Sequence, residues 1–185
     1  MAHGVCPWWL GYWMVSPIRR LREDPRRALA PFVGKGMTVL EPGPGMGFFT
    51  LDAARLVGPT GRVVAVDVQS RMLAGLERRA RRAGLADRIE LRLAQTASMG
   101  IPDLSGAVDV ALAFHVVHEL PAPDRFFAEV ATALRPGGVV LFAEPKGHVS
   151  GDAFARSVAA AQRAGLVASG PLSGLWGRTA RLAKR

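Results

Sequence analysis

The segment Glu41-Pro42-Gly43-Pro44-Gly45-Met46-Gly47 places three alternating glycines directly behind a carboxylate. A side chain at these glycines would block a tight turn and hold the backbone away from a bound molecule, so the pattern suits close approach of main chain to ligand. Glu41 is either a binding acid beside that ligand or a capping, solvated one. A second carboxylate, Asp67, stands twenty residues after Gly47 at the end of the apolar run Val63-Val64-Ala65-Val66. A carboxylate there can accept hydrogen bonds from two adjacent hydroxyls, and the alternative is a capping role ahead of Ser70. The spacing removes two other glycine loops. The dinucleotide pattern G-x-G-x-x-G begun at Gly43 requires glycine at 48, where the chain has Phe48. No glycine-lysine-serine or glycine-lysine-threonine follows, which excludes the phosphate-binding loop of nucleotide hydrolases.

Other residues carry further chemistry. His115 and His118 lie three apart, with Glu119 behind them. This is not the zinc-protease pattern, whose histidines are four apart around a glutamate. His115 is a candidate contact for cofactor or substrate, and for both histidines the alternative is a packed or capping ring. In Glu144-Pro145-Lys146-Gly147-His148, Lys146 could hold an anionic substrate and His148 could accept a proton, unless the segment only turns the chain into a helix behind Ser150 and Asp152. Cys6 is the single cysteine, so an intrachain disulfide and a cysteine metal cluster are excluded, and no metal is expected. The block Cys6-Pro7-Trp8-Trp9-Leu10-Gly11-Tyr12-Trp13 is dense in aromatics. Trp8, Trp9 and Tyr12 are expected to form a lid that excludes water and walls an acceptor pocket. Packing on the sheet, dimerisation and shallow membrane insertion are its alternatives.

These groups need a frame to position them. The 185 residues, 49% of them hydrophobic, fit one domain with a substantial core. The net charge of +9 is almost all arginine, since lysine occurs only at 35, 146 and 184. Such a surface attracts nucleic acid, acidic lipid or anionic substrates, and it also arises from solvated helix faces. Arg78, Arg79, Arg81 and Arg82 cluster at a helix end without an aromatic motif for single-stranded RNA. The apolar stretch 5–15 is broken by Pro7 and falls short of the roughly 20 residues a membrane span needs, so neither signal peptide nor transmembrane helix is expected. The cysteine usage favours the cytoplasm.

Residues 1–36 read as an aromatic and basic helical cap, and 37–185 as the main domain. Short apolar runs over 38–41, 62–66, 89–93, 108–114 and 139–143 predict strands covered on both faces. Helical spacing over 48–57, 70–83 and 124–134 fills the intervals, with Ser70 as a cap and Gly84 and Pro136-Gly137-Gly138 as stops. A helix over 151–164 and strands over 166–170 and 178–183 close the chain, the last two as an antiparallel hairpin. The alternation predicts an α/β doubly wound sheet with right-handed crossovers.

Behind Thr38-Val39-Leu40, the acid followed by G-x-G-x-G resembles the first motif of the class I S-adenosylmethionine-dependent methyltransferases. Asp67, the run Asp109-Val110-Ala111-Leu112-Ala113-Phe114-His115 and the turn Leu134-Arg135-Pro136-Gly137-Gly138-Val139-Val140-Leu141 extend the likeness over roughly residues 37–145. The resemblance implies a seven-stranded, mostly parallel sheet of order 3-2-1-4-5-7-6 with helices on both faces. It assigns Glu41, Gly43, Gly45, Gly47, Asp67, Val68 and Phe114 to the cofactor, with Asp67 on the ribose and Glu41 beside the cationic groups. Where family members often carry an acid for the adenine amine, this chain has Gln95-Thr96, whose neutral oxygens can accept instead. The implied reaction is in-line methyl transfer to a small-molecule acceptor, releasing S-adenosylhomocysteine. RNA or protein acceptors, a noncatalytic S-adenosylmethionine binder and a nicotinamide-dependent oxidoreductase are the alternatives.

Overall fold

The computed structural model describes residues 7–9, 11, 13, 15, 16, 19, 23–95 and 98–185. Cys6, Tyr12 and Thr96 therefore lie outside the described residues, as does much of the expected helical cap. Seven strands, β1 (Thr38–Pro42), β2 (Arg62–Asp67), β3 (Ile89–Leu93), β4 (Val108–Phe114), β5 (Leu134–Glu144), β6 (Leu166–Ser169) and β7 (Arg178–Lys184), form one sheet in the order 3-2-1-4-5-7-6. Only β7 runs antiparallel to its neighbours. The helices are α1 (Pro25–Leu29), α2 (Thr50–Val57), α3 (Ser70–Arg82), α4 (Pro123–Ala133) and α5 (Gly151–Arg163). Among the described residues, no helix is long and apolar enough to cross a membrane.

Strand alternation sends successive side chains into two separate cores. Val39, Val63, Ala65, Val110, Leu112 and Leu141 pack on one face with side chains of α1, α2 and α3. Leu40, Val64, Val66, Ala111, Ala113 and Phe142 pack on the other with Phe127 and Val130 of α4 and Ala160 of α5. Helices thus cover both faces, and the continuous apolar strands follow from being buried on each side. The amino edge is pinned by Asp109, which accepts from Thr38 N at 2.8 Å and from Arg135 Nε at 2.6 Å. That holds the central strands in step and leaves the opposite edge for loops.

Three local expectations shift. Pro136-Gly137-Gly138 follow the end of the preceding helix at Ala133 as expected, but the strand expected from 139 begins at Leu134 and includes them. The register passes from the pair Val108 and Leu134 to the pair Val110 and Val139, so an irregularity absorbs the extra residues, and continuous pairing begins at Val139 as the apolar run implies. Helix α2 begins at Thr50 and not Phe48, because the turn after β1 consumes the intervening residues. Ser70 is the first helical residue of α3 and not its cap; Gln69 holds that position, with no side-chain capping hydrogen bond to the helix. By contrast Ser150 does cap α5, accepting from Ala153 N at 3.1 Å.

Candidate functional site

The carboxyl ends of β1, β2, β4 and β5 share one edge of the sheet, where ligands of doubly wound folds sit near the reversal of strand order. Residues 43–49 turn there, tied to β2 by Gly43 N donating to Val66 O at 2.8 Å. Gly43, Gly45 and Gly47 all have positive φ, of 66°, 55° and 83°. A Cβ at Gly43 would stand 2.7 Å from Val116 Cγ2, and one at Gly47 would overlap Leu76 Cδ1. The loop is therefore wedged between the turn after β4 and helix α3. Met46 packs on Gly75 of α3, and Gly11 of the first segment abuts both Met46 and Met72. Arg79 donates to the Met46 carbonyl. One of the four clustered arginines is thus committed to the glycine loop.

Glu41 is buried, and its Oε2 has no hydrogen-bond partner. Burial pushes its carboxyl up to about 7. The Thr50 hydroxyl opposes the rise, although it forms no hydrogen bond of ordinary geometry, and the nearby Asp67 charge adds to it. Asp67, at the end of β2, is also buried and is raised to about 6 by burial. Backbone N–H groups of Gln69, Gly45 and Val68 lower it, and the Glu119 charge raises it. Gln69 N donates to Asp67 Oδ1 at 2.9 Å, so the turn-closing role and the binding role coexist in one side chain. Two acids this costly to ionise gain from a ligand that brings positive charge and hydroxyl donors. The orphaned Glu41 oxygen and the glycine cradle fit S-adenosylmethionine in this sense. Val68 stands exposed beside them, and Gln95 is exposed in a bridge with Ser98. Phe114 ends β4 and is buried, with its ring centroid 4.5 Å from that of Phe49 in the loop.

The basic candidates separate. His115 has a φ of 57°, the one positive value among described non-glycine residues, and its imidazole turns toward the first segment. Arg19 Nη2 lies 3.2 Å from His115 Nδ1, and Glu23 Oε1 lies 3.7 Å from Nε2. Arginine can only donate, so Nδ1 accepts and the ring proton sits on Nε2. Burial pushes this imidazole below the ordinary histidine range. Arg19 also bonds Glu23 at 2.8 Å and covers the Phe48 ring at 4.2 Å, joining the first segment to the glycine loop. Lys146 and His148 are exposed. His118 is held instead by the buried Glu144: its backbone N donates to Oε1 at 3.0 Å, and its Nδ1 lies 2.6 Å from Oε2. Trp8 lies under the Arg71 guanidinium at 4.9 Å, whereas Trp9 and Trp13 are largely exposed.

A family model described as a methyltransferase domain matches residues 34–177, more than half of the chain. The chain belongs to the methyltransferase-domain family. Its sheet order is that of the class I members. An S-adenosylmethionine-dependent methyltransferase from Aquifex aeolicus superposes with a TM-score of 0.86 at 22% identity, covering 98% of this chain and 100% of that one. The arsenite methyltransferase of Halobacterium salinarum is 34% identical over 117 residues, covering 63% of this chain and 28% of that protein. The ubiquinone/menaquinone C-methyltransferase UbiE of Hahella chejuensis is 32% identical over 126 residues, with coverage of 66% and 49%. The phosphatidylethanolamine N-methyltransferase of Cereibacter sphaeroides is 32% identical over 136 residues, with coverage of 71% and 64%. The methyltransferase domain thus spans between about a quarter and just under two thirds of these curated relatives.

Within this methyltransferase domain, sequence reasoning favoured His115 over His118 and gave Glu144 no role of its own. The only local signal was an acid ending an otherwise apolar strand. Its partner lies 26 residues away, and only the β4–β5 register brings the two together.

Proposed function

We propose that this chain is an S-adenosylmethionine-dependent methyltransferase acting on a small-molecule acceptor by in-line displacement and releasing S-adenosylhomocysteine. The observation that carries the reading is the buried Glu41, with one oxygen unpaired, directly ahead of the glycine loop of a methyltransferase-domain fold. Bound S-adenosylmethionine supplies a methyl group already activated by its cationic sulfur. Glu41 offsets the positive charge of the ligand, and Asp67 accepts from the ribose hydroxyls. Val68 and Gln95 border the adenine, and Gly43, Gly45 and Gly47 let the backbone approach. The chain's remaining tasks are to align the acceptor and exclude water.

Residues 1–36 act as a cap over the domain 37–185. The contacts of Gly11 with Met46 and of Trp8 with Arg71 support a lid role for this segment. The cap and the loops after β4 and β5 stand at the edge of the sheet where such folds hold their ligands, and a small molecule is the acceptor this reading assigns to them. Replacing Trp8 and Trp9 by alanine is expected to raise the Kd for S-adenosylmethionine about fivefold or to abolish turnover, on the scale of one solvent-exposed cation–aromatic contact. Unchanged Kd and turnover would remove the lid.

The function is tested by incubating the protein with methyl-labelled S-adenosylmethionine and a metabolite extract, beside calorimetry against S-adenosylmethionine and NADH. Label on a small molecule is the expected result. Binding without transfer would make the chain a sensor, label on RNA or protein would change the acceptor class, and tight NADH binding alone would overturn the family of reaction.

A further inference from the structure

His118 and Glu144 form a unit that the cofactor site does not use. Glu144 ends β5 with its side chain buried, and both oxygens are engaged by the same residue: Oε1 by the backbone N of His118 and Oε2 by its ring. The 2.6 Å contact to a carboxylate that can only accept places the ring proton on Nδ1. The lone pair of the neutral imidazole is then on Nε2, which makes no hydrogen bond among the described residues, and a quarter of the side chain, 25%, is exposed. An imidazole with one nitrogen fixed by a buried acid and the other without a hydrogen-bond partner among the described residues is arranged as a proton acceptor.

Its place in the fold is equally specific. The turn 115–119 packs on the glycine loop through Val116 and Gly43. Since β4 and β2 flank β1 on opposite sides, His118 lies across the strand reversal from Asp67. A nucleoside held at Asp67 and Glu41 leaves the carboxyl ends of β4 and β5 for the acceptor.

Resting on the methyltransferase reading above, we propose that His118 Nε2, oriented by Glu144, takes a proton from the acceptor, which is a small molecule attacking through a hydroxyl oxygen or an amine nitrogen that carries one. The acceptor's lone pair forms the bond to the methyl carbon while the carbon–sulfur bond breaks, its pair returning to sulfur. The acceptor's proton passes to Nε2 and then to solvent. Acceptors that attack as preformed anions, such as thiolates or carboxylates, gain nothing from this base. Glu144 is a positioning residue, and His118 is the catalytic one.

Four titratable groups face this ring: Glu144 from β5, Glu119 from its own turn, His148 stacked at 6.3 Å from the loop after β5, and His115 from the end of β4. The Glu144 hydrogen bond raises the ring above the ordinary histidine range, burial opposes it, and the Glu144 and Glu119 charges add to the rise.

Two measurements test the inference. In ligand-free protein, imidazole NMR of His118 should show the Nδ1–H form at high pH and titration above the ordinary range; Glu144→Gln should move that titration down. In the labelled-methyl assay, His118→Asn should reduce transfer about 100-fold while the Kd for S-adenosylmethionine stays within about twofold, as expected for loss of a general base. The rate of the unsubstituted protein should rise through the titration of His118, and Glu144→Gln should shift that inflection with it. A merely structural tie between β4 and β5 would leave the pH profile in place. Transfer undiminished in His118→Asn, an Nε2–H ring, or an inflection that ignores Glu144→Gln overturns the proposal. Absence of both cofactor binding and transfer in the unsubstituted protein instead fails the methyltransferase reading, and this inference falls with it.

Discussion

Glu41→Gln is expected to weaken S-adenosylmethionine binding about 100-fold at pH 8 while making the ligand-free protein more stable. Both effects come from one carboxylate placed where water cannot reach it. Burial raises its pKa from the ordinary 4.5 to about 7, so the folded chain prefers the protonated acid. The sign follows from linkage: the stability contribution is complete below 4.5 and is lost as pH rises through 7. Across that gap the loss is about 3 kcal/mol at 1.36 kcal/mol per pH unit. Glutamine keeps the shape without the charge and should recover a part of it, about 1–2 kcal/mol after the cost of its own buried N–H donors. For a chain of this size that is a rise in Tm of roughly 2–8 °C at pH 8. At pH 4.5 and below, where the acid is already neutral, the advantage should vanish. Binding moves the other way, because the variant loses the anion that faces a cationic ligand, and a factor of 100 corresponds to about 2.7 kcal/mol. The unsubstituted protein should itself bind S-adenosylmethionine more weakly as pH falls from 8 to 5.5, when Glu41 and then Asp67 take up protons. Calorimetry and thermal unfolding at both pH values decide the matter. A variant that binds normally would remove Glu41 from the site.

Gly47→Ala should unfold more easily by about 2–5 kcal/mol and lose detectable cofactor binding. The residue has a φ of 83°, where an alanine is strained by about 1–2 kcal/mol. Its Cβ would also overlap Leu76 Cδ1, and Leu76 is fully buried between α3 and the sheet, so relief requires repacking of about 1–3 kcal/mol. The alternative relief is displacement of the loop itself, which carries Gly45 and Met46 away from the edge. Gly34→Ala is the matched control. Its Cβ would meet only the flexible Met37 side chain, at an ordinary 3.5 Å from Cε and 4.0 Å from Sδ, and its backbone is not left-handed. Its stability should stay within about 0.5 kcal/mol of the parent. Equal destabilisation by the two substitutions, measured by denaturant unfolding, would refute the steric account.

The same contrast runs through the comparison of sequence with structure. The run 108–114 falls where the apolar pattern puts it, because burial on both faces demands that pattern whatever the neighbours are, whereas 89–93 forms the expected strand at the sheet edge although it is only partly covered. Boundaries shift where a partner at a distance overrides the local preference. Pro136-Gly137-Gly138 stops the helix before it as its residues imply, yet β4 on one side and Asp109 holding Arg135 also draw it into β5, five residues ahead of the expected start at 139.

His115 and His118 show the limit most clearly. Three residues apart, they are locally equivalent, and nothing in their immediate sequence separates them. Their environments are set by Arg19 and Glu23 on one side and Glu144 on the other, contacts that depend on the packing of the first segment and on the register of two strands. The sequence by itself determined the glycine loop and its acids, since left-handed backbone and close approach are demands that only glycine meets at those positions. Which imidazole is tied to a buried acid, and which of its nitrogens is engaged, was decided by tertiary structure alone, because hydrogen-bond partners and desolvation belong to neighbours in space and not in the chain.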